Sequence, residues 1–324
     1  MDFDSARSDA SNAALNCQGS NIRIDGITIE KRFIDGSYGI GISLGGSGHR
    51  NIRIHGVDIS GYSARYGIHL VECEDFEISN CHIHDFMMDA GADMIQDSPA
   101  GIRVTRSRRG VISNNRILRI EVGKSGLASI SPKVPKYGKQ GYQSDHMTIV
   151  SCRNVTITGN LMATSGEGID LLLSQECAVS GNTIEDIWFQ GIKMLGVSFS
   201  TISGNVIRDC YQGVGLADHT KFGADCIGNA ITGNTIVDSG SPGSFGLPGP
   251  ARLRYGVPAG VDVHDASDYA VIAGNVIMDT QATKTMRSAI ATNGAPHNIC
   301  ANNIEDGPFV RSVPPMPWEK KKGD

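Results

Sequence analysis

Short stretches in which apolar and polar residues alternate recur along the whole chain. They read IRIDGITI from Ile22, IRIHGVDI from Ile52 and FEISNCHI from Phe76, then VISNNRI, VTITGNLM, AVSGNTI, STISGNVI, NAITGNTI, AVIAGNVI and finally NICANNI from Asn298. A period of two means β-strands, and the central Gly-Asn marks a tight turn between two of them. The aligned Gly or its substitute stands at 26, 56, 80, 114, 159, 181, 204, 233, 274 and 301, with shortest steps of 22 and 23 residues. A second phrase precedes most copies: GIHL from Gly67, GIRV from Gly101, HMTI from His146, GIDL from Gly168, GIKM from Gly191, GVGL from Gly213 and GVDV from Gly260. Each repeat therefore carries about three short strands, too few for a propeller blade and without the spacing of leucine-rich repeats.

These features predict an all-β chain, a single-stranded right-handed parallel β-helix of about ten coils. It resembles the pectate-lyase-like superfamily over essentially its whole length. The helix domain is expected over residues 1–312, with 313–324 as an irregular tail. Asn160, Asn182, Asn205, Asn234, Asn275 and Asn302 read as a ladder that bonds turn backbone to stacked neighbours. No amphipathic helix precedes Ala14-Leu15-Asn16-Cys17, so the cap of the first coil is missing or supplied by another chain, which admits a homo-oligomer.

In G-I-x-L the Ile and Leu face the core, so x faces outward in every coil. Those positions are His69, Arg103, Thr148, Asp170, Lys193, Gly215 and Asp262. The stretches 121–144 and 238–258 are long loops that flank this sheet on one edge. The coils between them span about 19 Å at the strand spacing, enough for a few sugar units. Lys124, Lys133, Lys136 and Lys139 lie near Tyr137 and Tyr142 in the first loop, a mixture suited to anionic sugars or to a solvated charged face.

Composition narrows the partner. Gly accounts for 40 of 324 residues, charged residues for 19% and aromatics for 6%, which suits a stacked strand fold and argues against disorder. With a net charge of −5 no chain-wide field gathers nucleic acid. No apolar run approaches the roughly 18 residues of a membrane span, and Met1–Gln18 lacks the basic-then-apolar layout of a signal peptide. A secreted, periplasmic or virion-associated setting is expected over a cytoplasmic one. The eight Cys have no CxxC pair and no His at zinc spacing, and read as buried thiols.

Three consecutive coils between the loops carry the chemistry. They read Gln143-Ser144-Asp145-His146-Met147-Thr148, then Gly166-Glu167-Gly168-Ile169-Asp170-Leu171, then Gln190-Gly191-Ile192-Lys193-Met194-Leu195-Gly196. Stacking puts Asp145 beside Glu167 and Asp170 beside Lys193. Three converging acids repel one another unless a proton is shared or a cation bridges them, and calcium suits such oxygen ligands. The spacing resembles the family nine polysaccharide lyases, calcium-dependent pectate lyases. That resemblance implies Asp145, Glu167 and Asp170 as calcium ligands and catalytic acids, with Lys193 as Brønsted base. The family's further acidic position is Gly166 here. The substrate would be an acidic polysaccharide or oligosaccharide, lined by Arg103, His146, Gln190, Gln212, Tyr142, Asp262 and His264.

Three other readings stay open. The same carboxylates could hydrolyse a glycosidic bond, as in β-helix polygalacturonases and phage tailspike glycosidases. Asp262-Val263-His264-Asp265, with Tyr255 nearby, is similar to the DPHD phrase of mannuronan C5-epimerases. A glycan-binding or purely structural β-helix would leave His69, His219 and Arg103 as surface polar groups.

Overall fold

The computed structural model describes residues 13–30, 39–46, 48–62, 64–88, 99–122, 144–241, 257–264, 267–293, 295, 297–307 and 309–310. The outer segments Met1–Asn12 and 311–324, the loop lysines, Tyr137, Tyr142, Tyr255 and Asp265 lie outside the described residues.

The chain coils as a right-handed parallel β-helix. Each coil supplies one strand to a first sheet, one to a second and one to a third, as in Ala64–Val71, Cys73–Ser79 and His82–Met88. The second sheet has ten strands in sequence order, one per coil, and every named pairing is parallel. The strands Thr183–Leu195 and Val206–Ala217 run unbroken from the third sheet into the first. Among the described residues no helix is long and apolar enough to cross a membrane.

The inward positions stack like on like. Ile68, Ile102, Met147, Ile169, Ile192 and Val214 form one column of the first sheet, each fully buried. Burying one such side chain contributes roughly 1.5–3 kcal/mol, so ten coils of aliphatic columns make the core. All eight cysteines are free; six are buried, and burial holds thiols such as Cys73 and Cys177 up near 11, which keeps them unreactive.

The asparagine ladder forms with a shift in membership. Asn115 belongs to it, joined to Asn160 by a 2.9 Å bond, and at the far end Asn275 bonds to Asn303. Asn302 instead takes the glycine-like turn position at φ +54°, so the aligned turn residue of the last coil is 302 and not 301. The doubled Asn302-Asn303 makes either residue fit the pattern by type, and only the turn geometry separates them.

Where the third sheet turns into the first, most coils carry Gly. A Cβ at Gly191 would lie 2.5 Å from Ile207 Cγ2 and 2.8 Å from the Gly213 carbonyl. His146 occupies this corner column, and its coil carries Met162 where its neighbours carry Ile117 and Ile184. Met lacks the γ2 methyl that closes the corner elsewhere, which leaves room for the ring.

Candidate active site

The register brings together the four residues that the sequence singled out. Asp145 pairs with Glu167, Thr148 with Asp170, and Asp170 with Lys193, on successive first-sheet strands Asp145–Val150, Glu167–Leu172 and Thr183–Leu195. Asp145, Glu167 and Asp170 each offer an oxygen within 4.8 Å of the others. Lys193 Nζ donates to Glu167 Oε2 at 3.1 Å and to Asp170 Oδ2 at 3.2 Å. The carboxylates are 1–5% exposed, and the lysine side chain is 15% exposed, so the amine marks the way in from solvent.

Three acids and one amine leave excess negative charge in a buried place. Burial raises the Glu167 carboxyl, Lys193 lowers it and Asp170 raises it, with a balance at about 7. Asp145 is pushed well above the ordinary carboxylate range by burial and by the charges of Glu167 and Asp170, against the hydrogen bond from Thr148 Oγ1 at 2.5 Å. Burial works to lower Lys193, but Asp170, Glu167 and Asp145 outweigh it and hold the ammonium above its usual range. Without a cation, therefore, the site stores a proton on the acids and keeps the amine charged.

A divalent ion suits this donor set. Oxygens bound to calcium at about 2.3–2.6 Å lie at most about 5 Å apart, and the three carboxylates meet that limit. Asp145 Oδ1 and Asp170 Oδ1 are buried with no hydrogen-bond partner, as expected of oxygens facing a cation.

The pH response follows from the raised Glu167. A folded chain that still holds a proton lost by the unfolded chain becomes less stable as pH climbs through that interval. In chelator, the melting temperature should fall between pH 4.5 and about 7. Thermal melts should show the slope flattened in Glu167→Gln and reduced by added calcium; an unchanged slope in that variant would overturn the assignment.

Other predicted lining residues take different places. His146 is fully buried, with Nε2 3.1 Å from the Ala163 carbonyl and its pKa lowered to about 4 by burial, so it is a core side chain and does not line the groove. Its alternation is broken by the corner that the strand turns there. Gln212 is also fully buried, accepting from Gln190 Nε2 at 2.7 Å and donating to Asp262 Oδ2 at 2.6 Å and to the Val257 carbonyl at 3.0 Å. It is committed to protein partners, as is Asp262, which meets His264 Nε2 at 2.8 Å and Asn293 Nδ2 at 2.8 Å. Gly215 sits between Lys193 and Asp262 in register and leaves the space that Gln190 crosses. His264, 22% exposed, is the part of this chain of bonds that reaches solvent.

Arg103 is half-buried one coil before Thr148, with its guanidinium over the Tyr66 ring at 5.3 Å. His69, read as a surface group, is 3% exposed, and burial together with Arg103 lowers it to about 3. The sequence assigned no role to Thr148 or Asn293; a hydroxyl three residues after Asp145 was the available signal for the first, and nothing local marks the second.

Comparison with known proteins now bears on this geometry. The family profile described as periplasmic copper-binding protein (NosD) matches residues 138–311, more than half of the chain, including all four site residues. The chain belongs to the NosD family. A profile described as right handed beta helix region matches residues 13–133, ahead of the NosD match. No curated protein matches the chain in sequence. Among solved structures it is similar to DFA-IIIase from Arthrobacter chlorophenolicus A6 in complex with DFA-III, at TM-score 0.61 and 13% identity, covering 95% of this chain and 74% of that one. A mutant tailspike protein of E. coli bacteriophage HK620 in complex with a pentasaccharide aligns at TM-score 0.54 and 10% identity, over 90% of this chain and 48% of the other. The periplasmic alginate epimerase AlgG aligns at TM-score 0.51 and 11% identity, over 90% and 72%. At these identities the likeness shows the fold that this NosD-family chain shares with carbohydrate-active proteins.

Proposed function

We propose that this NosD-family chain is a polysaccharide lyase of the periplasm or cell exterior, cleaving an acidic, uronate-containing polysaccharide by β-elimination. Asp145, Glu167 and Asp170 hold a calcium ion in this reading, and Lys193 is the Brønsted base. The observation that carries it is the buried carboxylate triad closed on one side by a single amine, with two carboxylate oxygens left without partners. The neighbouring structures support a saccharide as substrate, since their descriptions name DFA-III, a pentasaccharide and an alginate epimerase. The family description supports the periplasm.

When bound, the cation neutralises the uronate carboxylate and spreads the charge that develops as carbon five loses its proton. The protein's own part is to place an amine there in its neutral form. Lys193 is held as an ammonium by Glu167 and Asp170, so its release depends on those carboxylates being engaged elsewhere. The free amine takes the proton on carbon five, a double bond forms between carbons four and five, and the bond to the oxygen on carbon four breaks. In this reading Arg103, one coil before Asp145 and three before Lys193, pairs with a uronate further along the chain.

Inverting hydrolysis by these carboxylates fits less well, since an inverting pair needs about 6.5–9.5 Å for its water, whereas these acids offer oxygens within 4.8 Å of one another. A retaining pair stands at about 5–5.5 Å, and the products below separate it from elimination. C5-epimerisation has one specific observation in its favour, the Asp262–His264 contact at 2.8 Å on the same face, two coils beyond Lys193.

The test is a set of acidic polysaccharides, polygalacturonate and alginate among them, incubated with calcium or with chelator. Elimination gives ultraviolet absorbance from unsaturated ends, abolished by chelator and restored by calcium. New reducing ends without absorbance would establish hydrolysis, altered uronate composition without shortening would establish epimerisation, and unchanged polymers would reject an enzyme for these substrates.

A further inference from the structure

A second cluster of metal-ligating side chains lies outside this site and outside the part of the chain that matches the copper-binding family. His82 and His84 stand two residues apart on the third-sheet strand His82–Met88, so both rings leave the same face. The preceding coil supplies Asp58, which pairs in register with His82. The rings are stacked with centroids 4.1 Å apart. His82 Nδ1 is 3.1 Å from Asp58 Oδ2, and His84 Nε2 is 3.3 Å from Asp58 Oδ1.

We propose that Asp58, His82 and His84 form an independent site for a divalent transition-metal ion of the imidazole-preferring class, binding copper(II) more tightly than zinc(II). The three residues offer ligand atoms within 4.8 Å of one another, and each imidazole nitrogen faces its own oxygen of Asp58 at 3.1 or 3.3 Å, separations that ligands about 2.0–2.2 Å from one ion can span. The ring orientation points the same way. His84 Nδ1 lies 2.6 Å from Asp85 Oδ2, so the tautomer that donates to this carboxylate turns the Nε2 lone pair toward Asp58. A carboxylate behind a ligating imidazole is the usual means of fixing the tautomer and raising ligand basicity. Asp85 is in turn gripped by Arg119 through both nitrogens of one guanidinium edge. On His82, Nε2 is buried without a partner, so Nδ1 is the nitrogen with polar company and the one to ligate.

All three ligands are partly exposed, which leaves an entry path and open coordination positions. The donor set also separates this site from the carboxylate triad. Two imidazoles and one carboxylate favour borderline ions, with copper(II) above zinc(II) in affinity, while three carboxylates favour calcium. Because the ligands come from two coils, the ion would clamp the coil carrying Asp58 to the next one.

The experiment titrates the full chain with copper(II) or zinc(II) in excess calcium, alongside His84→Ala, the double variant His82→Ala/His84→Ala and Asp85→Asn. One equivalent should bind, with copper tighter than zinc and with a rise in melting temperature on zinc addition. The copper spectrum by electron paramagnetic resonance should carry hyperfine splitting from two imidazole nitrogens. His84→Ala should weaken binding at least about tenfold and Asp85→Asn by about tenfold, while the double variant should bind no equivalent at this affinity. Equal affinity in the wild-type chain and the double variant, a spectrum without imidazole nitrogen, or no stoichiometric uptake would each overturn the proposal. The spectrum of the wild-type chain decides even if a variant fails to fold.

Discussion

Replacing Lys193 by alanine is expected to lower turnover of the acidic polysaccharide by about 10²–10⁴-fold, the usual contribution of a positioned general base. Alanine alone does not separate proton transfer from charge, because it also strips Glu167 and Asp170 of the cation they share. Lys193→Arg makes that separation. The guanidinium keeps the positive charge and can still bond both carboxylates, yet it does not lose a proton in proteins. A base role therefore predicts both variants inactive, with the arginine variant melting near the wild-type temperature and the alanine variant well below it in chelator. If Lys193→Arg retained more than about a tenth of the wild-type rate, the amine would be only a counter-charge and the base would lie elsewhere, with His264 the next residue to test.

The parts of the molecule readable from the sequence share one property: they repeat. Successive coils restate the inward aliphatic positions, and five of them the Gly-Asn turn, so the three-strand coil and the pairing of Asp145 with Glu167 and Asp170 with Lys193 follow from spacing alone. What was not readable depends on departures from the repeat. His146 looked outward because strict alternation was carried through a corner, and the clue to its burial, Met162 in place of Ile, lies 16 residues away in the same coil. Gln212 and Asp262 looked available because type and face were visible while their mutual bond, 50 residues apart in sequence, was not. In the Asp58, His82 and His84 cluster the His82-x-His84 pair was visible in the sequence, but the third ligand comes from the preceding coil and so was not.

Asn205→Ala should cost about 3–5 kcal/mol of stability, far more than its small volume suggests. The residue is fully buried in the ladder. Its Oδ1 accepts from the Asn182 backbone N–H at 3.0 Å and from Asn182 Nδ2 at 2.9 Å, and its Nδ2 donates to the Val179 carbonyl at 3.0 Å. Alanine takes this partner from the Asn182 backbone N–H and the Val179 carbonyl and one of the acceptors from Asn182 Nδ2, which keeps the Ile157 and Ser180 carbonyls. Water does not reach this place, and each lost buried bond costs roughly 1–3 kcal/mol. The expected fall in melting temperature is roughly 5–15 °C. Thr201→Ala, an exposed second-sheet change four residues away, serves as control and should stay within about 0.5 kcal/mol. A shift of under about 1 °C for Asn205→Ala would mean that the ladder only decorates coils held by their aliphatic columns. The result also bears on the active site. Asn182 and Asn205 fix the turns of the coils that carry Lys193 and follow it, so loosening them should release the register that sets the amine against Asp170. In calcium, the variant's residual activity should therefore fall at lower temperature than its second-sheet structure melts.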